Sequence, residues 1–109
     1  MNLFIVQPMY GLTMEQIESA RTKVVEFLKA KHPDWGEINV IDTLHHDLPE
    51  GSHRLMYLGE SIKLLSTADL AFFVHGYEIA KGCNVEFEVC KQYGIRYIRE
   101  DGLLERITY

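Results

Sequence analysis

The chain has 109 residues, 47% hydrophobic and 25% charged, a profile that fits one globular domain with a modest core. Its formal net charge is −5, with 11 Lys and Arg scattered singly among 16 Asp and Glu, so the basic footprint of a nucleic-acid polymer binder is absent. No segment approaches the roughly 20 apolar residues of a membrane span, and "MNLFIVQPMYG" lacks the basic lead and cleavage site of a signal peptide, so a cytoplasmic chain with no membrane partner is expected.

In chain order, "NLFIV" (Asn2–Val6) is a continuous apolar run ending at Gln7-Pro8, the form of a strand buried on both faces. Thr13 and Gln16 then form a capping-box pair that opens a helix. That helix carries Ile17, Ala20, Val24, Phe27 and Leu28 on one face and should stop near His32-Pro33. A second strand is expected at "EINVID" (37–42), followed by the polar loop "TLHHDLPEGSH", which holds His45, His46 and His53. Residues 54–66 read as a second helix with Leu55, Leu58, Ile62 and Leu65 as its apolar stripe. "ADLAFFV" is the most clearly buried strand, 83–93 a third helix stopped by Gly94, and "IRYI" a fourth strand. "EDGLLERITY" is left unassigned.

The order βαβαβαβ predicts one small Rossmann-like or flavodoxin-like three-layer α/β domain over residues 1–109. Its parallel sheet of four or five strands takes the order 2-1-3-4, with helices on both faces. In such a sheet the binding crevice opens at the carboxyl ends of the first and third strands. Gln7, Pro8, Met9, Tyr10 and Gly11 would line one side and residues 75–82 the other.

Gly11, Gly76 and Gly82 fall where the backbone must turn tightly or approach a ligand closely. Their spacing matches neither a dinucleotide fingerprint nor a phosphate-binding loop, and no histidine pair has metal-ligand spacing, so no cofactor and no metal are expected. Glu86 is expected in the first turn of the third helix, where the dipole's positive end would keep its carboxylate ionised, as it would for an ordinary surface glutamate. Such a group is also equipped to attack an electrophilic sugar carbon. His75 ends a buried strand at the crevice, Tyr10 and Tyr77 flank it, and Asp69 lies at the opposite end. Cys83 and Cys90 are too far apart for a disulfide, at roughly 10 Å of helical rise.

"QPMYG", "YLGESIKLLSTADLAFF" and "GCNVEFEVCKQYGI" together resemble small phage and bacterial proteins grouped with the nucleoside 2-deoxyribosyltransferase-like superfamily. The superfamily also contains the 2'-deoxynucleoside 5'-phosphate N-hydrolases. The resemblance implies that Gly82 marks the helix start and that Glu86, four residues on, is the nucleophile that takes C1' of the sugar. Gln7-Pro8 loosely matches a glycine-proline segment that approaches the substrate. Two aspartates of those enzymes are replaced by Ala80 and Ser61, which leaves Glu78 or His75 as substitutes for a proton donor. An N-glycosidic hydrolase or transferase acting on a nucleoside or nucleotide is therefore the first expectation. A non-catalytic nucleotide-binding module is the alternative, and an accessory protein acting through its surface is the third reading. A homodimer or higher homo-oligomer, whose neighbour helps close each pocket, is also implied.

Overall fold

The computed structural model describes residues 1–44, 48–101 and 104–108. The elements are β1 (Asn2–Val6), α1 (Met14–Lys31), β2 (Asn39–Val40), α2 (Arg54–Leu65), β3 (Leu70–Phe73), α3 (Lys81–Tyr93), β4 (Tyr97–Asp101) and β5 (Leu104–Thr108). Short 3-10 turns lie at Pro33–Trp35 and Tyr77–Ile79. The sheet order is β2-β1-β3-β4-β5, with the first four strands parallel as expected. β5, from the unassigned C-terminal stretch, pairs antiparallel with β4. Only residues 102 and 103 separate the two strands, and a parallel return needs a crossover of a dozen or more.

Successive side chains of β1 go to opposite faces, and both faces are covered. Leu3 and Ile5 join Leu70, Phe72 and Ile98 under Val24 and Leu28 of α1. Phe4 and Val6 join Ala71, Phe73 and Tyr97 under Leu65 of α2 and Cys83 and Cys90 of α3. This two-sided burial is why the central strands read as unbroken apolar runs rather than alternating ones. The in-register pairing of Val6 with Phe73 brings the chain after β1 and the chain after β3 out at the same sheet edge.

Local chemistry sets the helix ends. The Thr13 hydroxyl accepts the Gln16 backbone amide at 3.1 Å and the Gln16 side-chain Oε1 accepts the Thr13 backbone amide at 2.9 Å, a complete capping box. α1 ends at Lys31, just before His32-Pro33. His53 caps α2, its Nδ1 accepting the Leu55 amide at 3.1 Å. β2 is shorter than 37–42, although the Ile41 amide still donates to the Leu3 carbonyl.

Leu55, expected in the apolar stripe of α2, is 68% exposed, whereas Leu65 is fully buried. The first turn of α2 borders an open cleft rather than the core, because Arg54, Tyr57 and Leu58 line that cleft. Leu65→Ala should therefore cost about 2–5 kcal/mol and Leu55→Ala less than about 0.5 kcal/mol. Urea unfolding of the two variants measures the contrast.

Candidate functional site

A cleft of about 400 Å³ opens at the carboxyl edge of the sheet. The end of β1 supplies Gln7, Pro8 and Met9, the chain after β2 supplies Thr43 and Leu44, and α2 supplies Arg54, Tyr57 and Ser61. Ala80, Gly82, Cys83 and Glu86 complete it from the start of α3. Six of the expected site residues thus meet in one place, Gln7, Pro8, Met9, Ser61, Gly82 and Glu86, with Ala80 and Cys83 beside them.

The rest of the expected crevice lies elsewhere. Tyr10 is fully exposed, and neither it nor Gly11 lines the cleft. Gly76 adopts a left-handed conformation, with φ of 87°, and turns the chain into the 3-10 turn at Tyr77–Ile79. Tyr77 is drawn into the core, its ring 5.1 Å from Phe73 and 5.7 Å from Phe87, so it offers no stacking face to a base in the cleft. Glu78 is carried outward to a separate small depression with Arg99 and Glu100. The His75 amide donates to Glu100 Oε1 at 3.0 Å, tying the end of β3 to β4, and His75 does not border the cleft. Neither Glu78 nor His75 is thus placed to substitute for the proton donor. Asp69 sits at the far end of the sheet as expected, its Oδ2 accepting the Asn2 amide at 2.7 Å.

Glu86 departs from its expected setting. α3 begins at Lys81, with Ala80 as its uncapped N-cap residue, so Glu86 lies in the second turn rather than the first. It is buried, 7% exposed, on the same helix face as Cys83 and Cys90. Burial pushes its pKa up to about 7, the opposite of a carboxylate held ionised by the helix dipole. Burial, reinforced by the charge of Glu86, also raises both thiols to about 12, so neither is an activated nucleophile. Both cysteines are free. The buried spacing Cys83, Glu86, Cys90 is the signal in the sequence that places Glu86 inside.

Several cleft residues escape the sequence reading, chief among them Thr43, Arg54 and Tyr57. Behind them Arg21 of α1 donates from Nε to Gln7 Oε1 at 3.2 Å and from Nη2 to Thr43 Oγ1. Its pKa is lowered, chiefly by burial. His45 and His46 lie outside the described residues. Among the described residues no group of three or more His, Cys, Asp or Glu could hold a metal ion, and no helix is long and apolar enough to cross a membrane.

No protein-family model matches the chain, and no curated protein and no solved structure matches it significantly.

The raised pKa of Glu86 predicts a pH dependence of stability. Below about pH 4.5 the carboxyl is protonated in folded and unfolded chains alike. Between there and about pH 7 the folded chain keeps a proton that the unfolded chain has released, so stability falls as pH rises and levels off above. Glu86→Gln should flatten that slope and stabilise the protein at pH 8 by up to roughly 3 kcal/mol, at about 1.4 kcal/mol per pKa unit. Urea midpoints from pH 4 to pH 8 check the sign.

Proposed function

We propose that the cleft binds a nucleoside or nucleotide and that Glu86 attacks C1' of its sugar. The bond to the base breaks as a glycosyl ester forms on Glu86, and water or a second base then resolves the ester, giving hydrolysis or transfer. The observation that carries this reading is a buried carboxylate, with a pKa near neutrality, in a cleft at the sheet's carboxyl edge. Gly82 adds support. A Cβ there would meet only Leu58 Cδ1, at an ordinary 3.7 Å, so packing within the protein does not demand glycine at a helical position where it costs about 1 kcal/mol relative to alanine. Close approach of a ligand would account for it. Arg54 supplies a cation on the same cleft for a 5'-phosphate.

Among the described residues lining the cleft, Glu86 is the one carboxylate, since Ala80 and Ser61 stand where the resembling enzymes carry aspartates. A missing general acid is worth about 10²–10⁴ in rate. That observation favours a second reading, in which the cleft holds a nucleotide without turning it over. In either case, part of the same proposal is that a second copy covers the exposed Leu12, Met14, Leu55 and Met56 at the starts of α1 and α2. A monomer by light scattering would remove that part.

Incubation with deoxynucleosides and their 5'-monophosphates should release free base, at a rate that rises with pH through about 7 as Glu86 ionises. Mass spectrometry after rapid quenching should find the sugar on the peptide containing Glu86. Glu86→Gln keeps shape and removes the attacking charge, so turnover should fall by orders of magnitude while binding persists. Full activity in that variant would reject the nucleophile. Binding without base release in the wild type would establish the second reading instead.

A further inference from the structure

Arg21 constrains what the inner wall of the cleft can recognise. Gln7 and Thr43 both line the cleft and are buried, at 6% and 3% exposure. An amide side chain offers an acceptor at one prong and two donors at the other, and which prong faces a ligand depends on what holds the first. Here the partner is a guanidinium, which has only donors and does not deprotonate in proteins. Arg21 Nε therefore fixes the carbonyl prong of Gln7 toward itself, at 3.2 Å. The amino prong remains for the cleft. The second branch of the same fork, Nη2, donates to Thr43 Oγ1, which leaves the threonine hydroxyl its own proton to donate.

From this geometry we infer that Gln7 and Thr43 form a donor-rich wall that selects a nucleobase with a carbonyl edge over one with an exocyclic amino group. The inference rests on the cleft being a nucleoside site, as proposed above. Gln7 and Thr43 are the specificity-determining residues, and Arg21 is a positioning residue that acts through them. An anionic group is the poorer match for this wall. Arg21 turns Nε to Gln7 and Nη2 to Thr43 and to Met9 Sδ, and its charge is opposed by Asp42 and Glu18. The cation facing the cleft, Arg54, comes from α2.

The test compares the full chain's dissociation constants for deoxyinosine against deoxyadenosine and for deoxyuridine against deoxycytidine. Within each pair a carbonyl oxygen replaces an amino group and the adjacent ring nitrogen gains a proton, so the comparison reads the exocyclic contact against the ring-nitrogen one, and the carbonyl contact is expected to win. The carbonyl member of each pair should bind about tenfold tighter or more, the effect of making one hydrogen bond in place of an opposed donor. Arg21→Met frees the Gln7 amide to turn over and should bring the ratio close to one. Gln7→Glu keeps the Arg21 contact but presents only acceptors, and should abolish or reverse the preference even if the Arg21 variant fails to fold. Equal affinities in the wild type, a preference for amino bases, or an unchanged ratio in Gln7→Glu would overturn the donor wall and leave a nucleoside site standing. Failure of all four nucleosides to bind would overturn the nucleoside site as well.

Discussion

The rotation of α3 about its own axis is fixed by its packing on the sheet, in which Phe87 joins the buried Cys83 and Cys90, and the character of the cleft depends on that setting. Phe87 meets Phe73 and Tyr97 edge to face, with centroids 5.3 and 5.2 Å away, and Tyr77 at 5.7 Å closes the group. Edge-to-face contacts at this spacing add to the area that the rings bury. With Phe87 anchored over β3 and β4, the helical period brings Cys83, Glu86 and Cys90 to the inner face. Glu86 is therefore buried as a consequence of how the helix around it packs. A surface glutamate could escape into water, whereas this one is held where desolvation raises its pKa.

That arrangement opposes the fold's own interest. An ionised carboxylate at this depth destabilises the native state, and two thiols beside it offer little compensation. Asn84, one turn from the helix start, gives the segment a different support, its side-chain amide donating to the Glu78 carbonyl at 2.8 Å and the Ala80 carbonyl at 3.2 Å. The uncapped start of α3 is tied to the preceding turn in this way, and Gly82 and Glu86 are carried on a braced element. Strain of this sort, accepted at a cleft and supported nearby, is more characteristic of function than of stability.

The parts of this architecture that were legible in the sequence are those governed by local pattern. "NLFIV" and "ADLAFFV" announce strands covered on both faces, Thr13 and Gln16 announce a helix start, and the alternation of elements gives the sheet order. The start of α3 was harder to read because Gly82 resembles a breaker, although it lies inside the helix. That displacement of two residues moved Glu86 from the second turn to the first and reversed the expected effect on its charge. Tyr77 illustrates a different limit: a tyrosine after a buried strand reads as a rim residue, and only the left-handed turn at Gly76 shows that it folds back into the core. The Arg21 fork joins residues 14 and 22 positions away in the chain, a relation that periodicity does not encode. β5 was hidden for a related reason, since a strand is defined by its partner more than by its own composition.

Protonation of Glu86 links the site's two possible uses. At neutral pH the Glu86 carboxyl is divided between its two forms, and a ligand that displaces water from the cleft would remove more of the solvation that favours the charge. Whether the bound state holds a carboxylate or a carboxylic acid then depends on what the ligand places against it. A sugar carbon developing positive charge stabilises the ionised form as the base departs, which suits attack at C1'. A ligand that instead presents an acceptor would stabilise the acid, and Glu86 would then act as another donor beside the proposed Gln7 and Thr43 wall, holding its ligand by hydrogen bonds without reacting. Under the proposed function, the same buried side chain would thus serve catalysis or retention, and the charge that the ligand brings to it would decide between them.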